Sequence, residues 1–141
     1  MVAAVDGFQP GMSGELSVVV TPEMTAAHFG NQGVEVLATP YVVGLLETAS
    51  VLAVGAALRP GQATVGTRVD IRHEAATPCG VQVTASARLI EVDGRRLTFA
   101  VEARDPLDRV AFGTHERVVI DLVRFLERTK KKLSGSRPQP P

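Results

Sequence analysis

Cysteine is almost absent: Cys79 is the only one in 141 residues. That excludes an internal disulfide, and no grouping of Cys and His has the spacing of a zinc site. A reducing cytoplasm is the expected compartment, with no metal and no cofactor. Net charge is missing too, since 15 basic and 15 acidic side chains cancel to a formal zero. The electrostatic case for nucleic acid or an anionic membrane surface as partner is thereby removed. The one dense basic run, "RTKKK" at 128–132, reads as a solvated helix end. The opening "MVAAVDGFQPGMSGE" has neither a basic start nor a sustained apolar stretch, so no secretory leader is expected. Internal repeats and interdomain linkers are also lacking. What remains is one domain over 1–133, large enough to bury a core, with a tail at 134–141 expected to be disordered.

The longest apolar stretch, "PYVVGLLETASVLAVGAAL" at 40–58, carries a single charge, Glu47. Its length approaches that of a bilayer span. Glu47, Thr48 and Ser50 near its middle, and "RPGQ" after it in place of a basic anchor, predict a buried helix with no membrane association. Thr39 is the expected N-cap, Pro40 the first helical residue, and Pro60-Gly61 the end.

Strands follow. From Val65 the odd positions are Val65, Thr67, Val69, Ile71, His73 and Ala75, and the even ones are Gly66, Arg68, Asp70, Arg72 and Glu74. A period of two predicts a strand over 62–75 with the odd side chains inward, His73 among them. In "GVQVTASARLIEV" Val81, Val83, Ala85, Ala87 and Leu89 share the inward face, and the apolar pair Leu89-Ile90 predicts a bulge. Asp93-Gly94 predicts a hairpin into "RRLTFAVEAR", with Leu97, Phe99, Val101 and Ala103 inward. "DPLD" turns the chain into "RVAFGTHERVVIDL", and "RFLERTKKKL" ends it as a short helix. Before the long helix, "GELSVVV" reads as a strand and "TPEMTAAHFG" as a short helix or loop. The order predicts an α+β domain, its hydrophobic helix covered by a curled sheet.

An inward histidine and the helix's one carboxylate aimed at the same layer offer acid/base chemistry, although each has a bland reading as a satisfied core residue. Thr39 beside free helix N–H groups adds a place where a developing oxyanion could sit, or is simply a cap. Thr39 and Glu47, eight residues apart, lie about 12 Å apart along one helix. Either a substrate spans them or two chains combine. His28 and His115 are spare candidates, His115 reading as structural. Cys79 sits in a Pro-Cys-Gly turn and reads as a poor nucleophile.

"TPYVVGLLE", "GTRVDIRHEAATPCG", "VDGRRLTFAVEARD" and "GTHERVVIDLVRF", in this order and separation, resemble the hot-dog fold thioesterases, specifically the fluoroacetyl-CoA thioesterase family. The resemblance runs from about Val34 to Phe125. It implies a hot-dog fold, a homodimer or higher homo-oligomer with active sites near the subunit interface, and hydrolysis of an acyl-CoA. Coenzyme A would enter only as part of the substrate. The family's catalytic threonine, glutamate and histidine fall on Thr39, Glu47 and His73, and a substrate-binding glycine falls on Gly66. By its even parity Gly66 would act through its backbone, a side chain there pointing away from the site. Arg68, Arg72 and the lysines after Arg128 could meet the phosphates. The expected chemistry has His73 as general base on Thr39 or a water, with Glu47 as positioning group or as nucleophile. Family members selective for fluoroacetyl groups carry aromatic lid residues before the threonine, where "FGNQGVEVLA" has only Phe29. A short acyl group other than fluoroacetyl is therefore at least as well supported. Two alternatives stay open: an enoyl-CoA hydratase, whose Asp and His on the central helix are not seen, and a non-catalytic acyl-CoA-binding module.

Overall fold

The computed structural model describes residues 7–135. From 136 onward the expected disordered tail lies outside the described residues. Strands β1 (Ser13–Val19), β2 (Gln62–His73), β3 (Gln82–Asp93), β4 (Arg96–Arg104) and β5 (Arg109–Asp121) form one antiparallel sheet in the order β1-β3-β4-β5-β2. Helix α1 (Thr39–Val54) packs on it, and α2 (Leu122–Lys130) follows β5.

The spacing of Val42, Leu45, Leu46, Ala49, Ala53 and Val54 puts one buried stripe of α1 on the sheet. Gly14 lets the helix come close: a Cβ there would lie 2.6 Å from the Ala49 carbonyl oxygen and the Ala53 nitrogen. The hydroxyls of Thr48 and Ser50 donate to the Gly44 and Leu46 carbonyls, each at 2.9 Å, so these two hydroxyls need no partner outside the helix. By length and composition Thr39–Ala57, with hydropathy 1.5, could cross a membrane, but the sheet takes up one of its faces. Across the interface Leu89, Leu97 and Phe99 are fully buried. Each contributes about 1.5–3 kcal/mol of burial energy.

Several expected features stand in β3 and β4. Val83, Ala85, Ala87 and Leu89 face Leu97, Phe99, Val101 and Ala103 in the core. The ladder slips between Leu89 and Glu91, leaving Ile90 as the bulge, and Asp93 pairs with Arg96 across the hairpin.

Four expectations are corrected. The N-cap of α1 is Ala38, and Thr39 is already helical, its hydroxyl being taken by a partner outside the helix. The helix ends at Val54 and tightens into a 3-10 turn, Gly55–Ala57, before Pro60 is reached. Most consequential, β2 is not one regular strand: its pairing with β5 slips between Gly66 and Arg68, so Thr67 is an extra, unpaired residue. Beyond the bulge Val69, Ile71 and His73 sit opposite His115, Gly113 and Ala111, in the expected register. Before it the parity reverses. Thr64 and Gly66, opposite Val119 and Arg117, now share the inward face, while Thr67 turns out to donate to Glu116 Oε2 at 2.8 Å. Finally, α2 is shifted toward the N-terminus of the 124–133 stretch expected to be helical.

Candidate active site

Two polar clusters lie along β2. The first joins the start of α1 to the end of β2. The chain entering α1 is pinned by Leu37 N–H on the Thr77 carbonyl at 2.8 Å and Ala38 N–H on the Met24 carbonyl at 2.9 Å. Thr39 Oγ1 then meets His73 Nδ1 at 2.8 Å. Pro40 has no N–H, and Tyr41 and Val42 donate theirs to the Ala38 carbonyl, which leaves the Thr39 N–H as the donor of the first turn without a partner among the described residues. His73 Nε2 is buried and has no hydrogen-bond partner among the described residues. Burial pushes the His73 pKa down, with the Ala75 backbone opposing it. The ring is thus kept neutral near pH 7 and free to accept a proton.

The second cluster surrounds Glu47. Its Oε2 lies 3.3 Å from Arg117 NH1 and 3.9 Å from His115 Nε2. Arg117, on β5, has a side chain only 7% exposed, against 41% for Glu47. It donates through Nε to Thr64 Oγ1 and through NH2 to the Thr64 carbonyl, both at 2.9 Å, and through NH1 to His115 at 3.1 Å. Burial lowers the Arg117 pKa, with Glu47 opposing. The guanidinium stays charged. Gly66 closes the cluster, because a Cβ there would lie 2.5 Å from Glu47 Oε2. Gly66 therefore faces the site directly, contrary to its expected outward parity, and the cause is the Thr67 bulge.

The fold brings Thr39 to His73, and Glu47 to Gly66, but it does not join the two pairs within one chain. Eight helical residues separate Thr39 from Glu47 by about 12 Å, and seven strand residues separate Gly66 from His73 by about 20 Å. Arg68 and Arg72 lie on the outer face, Arg68 pairing with Asp70 at 3.5 Å. Phe29 is 54% exposed, its ring edge against His28. Cys79 is exposed and lines an open cavity with His28, Glu23 and Glu35. The sequence pattern does not single out Arg117 and offers His115 as a spare candidate with a structural reading. The available signal was parity: 111, 113, 115, 117 and 119 form the inward register of β5, and a charged residue there needs a partner.

This arrangement matches known proteins along most of its length. A profile of the family described as fluoroacetyl-CoA-specific thioesterase matches residues 20–122. The fluoroacetyl-CoA thioesterase of Streptantibioticus cattleyicolor is 40% identical over 133 residues, covering 90% of this chain and 96% of its own. The solved structure of fluoroacetyl-CoA thioesterase FlK is 39% identical, covers 89% of this chain and 98% of its own, and superimposes with a TM-score of 0.85. A thioesterase superfamily member from Thermus thermophilus, 29% identical, covers 90% and 96% with a TM-score of 0.81. The long helix on a five-stranded antiparallel sheet is thus the hot-dog fold.

Proposed function

Since this chain belongs to the fluoroacetyl-CoA-specific thioesterase family and is an acyl-CoA thioesterase, we propose that it hydrolyses short-chain acyl-CoA at a site assembled from two copies of the chain. The observation that carries the chemistry is the 2.8 Å contact between Thr39 Oγ1 and His73 Nδ1. A neutral His73 accepts the hydroxyl proton at Nδ1 as Thr39 Oγ attacks the thioester carbonyl carbon. The Thr39 N–H at the start of α1 receives the developing oxyanion. The C–S bond breaks, the thiolate leaves with the proton from His73, and water then hydrolyses the acyl-Thr39 ester by the same proton path.

The remaining carboxylate comes from the second copy. Strand β2 is an edge of the sheet and its free backbone groups suit pairing with another strand. An antiparallel pairing with a second β2, centred near Val69 and Asp70, lays the His73 end of one strand over the Gly66 end of the other. Glu47, Gly66 and Arg117 of one copy then face Thr39 and His73 of its neighbour, as a two-fold axis requires. A floor at Gly66 without room for one methyl group fits a small acyl chain. Arg68 and Arg72, exposed on the outer face, remain the proposed phosphate contacts.

Three measurements test this reading. Free-thiol release from acetyl-, fluoroacetyl-, propionyl- and octanoyl-CoA should favour the short chains, and enoyl-CoA should not be hydrated. Thr39→Val and Glu47→Gln, each inactive alone, should regain turnover when refolded together, because one of the two sites in the mixed dimer is intact. No recovery on mixing would sink the two-chain site. Mass analysis of the quenched reaction should find the acyl group on Thr39; an adduct on Glu47, or none, would refute the threonine route and leave the thioesterase assignment standing.

A further inference from the structure

We infer that His115 is a positioning residue, a neutral imidazole protonated at Nδ1 and bare at Nε2, which holds Arg117 where its guanidinium meets Glu47. The inference rests on reading Glu47 as part of the active site.

The hydrogen-bond partners dictate the tautomer. His115 Nδ1 lies 2.8 Å from the Arg68 carbonyl oxygen, which can only accept, so Nδ1 carries a proton. Nε2 lies 3.1 Å from Arg117 NH1, which can only donate, so Nε2 must be bare. Only a neutral imidazole in this one tautomer satisfies both. Arg68 follows directly on the Thr67 bulge, where the ladder is interrupted. At 2% exposure, with the Phe99 ring tilted against it at 6.3 Å, His115 is almost sealed from solvent.

The consequence falls on Arg117. Its Nε and NH2 are fixed on Thr64, and NH1 divides its two protons between His115 and Glu47. Accepting one of them turns the other toward the carboxylate. Among the described residues the charged groups acting on the imidazole are Glu47 from α1 and Arg117 and Glu116 from β5, while β2 contributes the Arg68 carbonyl and β4 the Phe99 ring. Burial lowers the His115 pKa, the Arg68 carbonyl opposes it, Arg117 lowers it further, and Glu47 and Glu116 raise it. Protonation would set an Nε2–H against the Arg117 N–H at the same 3.1 Å, two donors of like charge, and NH1 would no longer be turned toward Glu47 by an acceptor on its other side.

Nitrogen-15 NMR of imidazole-labelled protein at pH 7.5 reads the tautomer without any turnover. Nδ1–H with bare Nε2 is expected for His115; the opposite tautomer, or an imidazolium, overturns the inference. Kinetics supply the second arm. The acid limb of log kcat/KM against pH should approach slope 2 in the wild type, from His73 and His115 together, and slope 1 in His115→Gln, whose amide donates and accepts but does not titrate. His115→Leu should lose kcat about tenfold or more in the folded fraction. Equal slopes, or undiminished kcat per folded His115→Leu molecule, would remove His115 from the site. A wild type that hydrolyses no thioester would refute the site reading alone, the tautomer still deciding this one.

Discussion

Gly66→Ala should separate packing from chemistry. Gly66 lies in β2 without a positive φ, so alanine fits the backbone. Losing glycine's freedom in the unfolded chain stabilises by about 0.4–1 kcal/mol. The added methyl is the whole perturbation. It would fall 2.5 Å from Glu47 Oε2, 3.2 Å from His115 Cε1 and 3.3 Å from Arg117 NH1. The last two are tight and the first is impossible, short of ordinary contact by roughly 0.9 Å. Arg117 is clamped on Thr64 and does not yield. Glu47, the end of a flexible side chain with 41% of its surface exposed, does. A displacement of about 1 Å in a reacting group typically lowers a rate by ~100-fold. Melting temperature and thiol release should be measured on one preparation. The expected result is a melting temperature unchanged or a few degrees higher, with kcat/KM down about 100-fold. Wild-type kcat/KM would show that Glu47 can leave its place without loss, and the carboxylate would drop out of the mechanism. A collapse of the melting temperature would show that the methyl had opened the buried arginine cluster, making Gly66 a packing residue.

His73→Ala should lower turnover by ~100-fold or more with the fold retained, as removal of a general base does; activity lost only in step with melting would return His73 to the core. Glu47→Gln should remove most turnover and lower stability by about 1 kcal/mol or less, because the buried Arg117 loses its counter-charge while Glu47, 41% exposed, is partly screened. A calorimetric melt checks this, and a rise in melting temperature would contradict the pairing. Acid should destabilise the protein. Both His73 and His115 have pKa values lowered by burial from 6.5, so in the unfolded chain they bind protons first. Stability is full above about pH 6.5 and falls as the pH drops from there toward the depressed folded values. Denaturant midpoints between pH 8 and 5 read this directly, and His73→Ala with His115→Gln should flatten the profile.

Where one face of a strand is buried and the turn chemistry is strong, the sequence could be read residue by residue. The inward faces of β3 and β4, the Ile90 bulge and the Asp93-Gly94 hairpin follow from alternation and turn preference. The Thr67 bulge could not be read that way. Val65 and Thr67 are β-branched and continue the alternation across the slip, while β2 as an edge strand is weakly constrained by burial. The N-cap failed for a tertiary reason. "ATP" suits a threonine cap as well as a threonine in the first turn, and the Thr39 hydroxyl was claimed by His73 from 34 residues away. That pairing has no local signal: the residue pattern offers Thr39 only as a helix-end oxyanion site, and the resemblance to a known family gives it a catalytic role beside His73. Arg117 was hidden by the habit of reading a charge as an outward residue.

The bulge also explains how one strand can serve both clusters. Gly66 and His73 are seven positions apart, an odd number, and in a regular strand they would point to opposite faces. The extra residue at Thr67 restores the count, so that Gly66 opens toward Glu47 and His73 toward Thr39 on the same inner surface. Deleting Thr67 should therefore do what no single substitution in the strand does: restore strict alternation and turn one of the two residues outward. Thr67→Val is the control, since it keeps the bulge and removes only the hydroxyl's hydrogen bonds to the Glu116 carbonyl and carboxylate. The deletion should lower kcat/KM by ~100-fold or more, as loss of either positioned group would. Thr67→Val should stay close to wild type in both turnover and melting. Circular dichroism of the deletion variant establishes that the sheet still forms. A folded deletion variant with undiminished turnover would mean that the two residues need not share a face, and the site built across two copies of β2 would have to be abandoned.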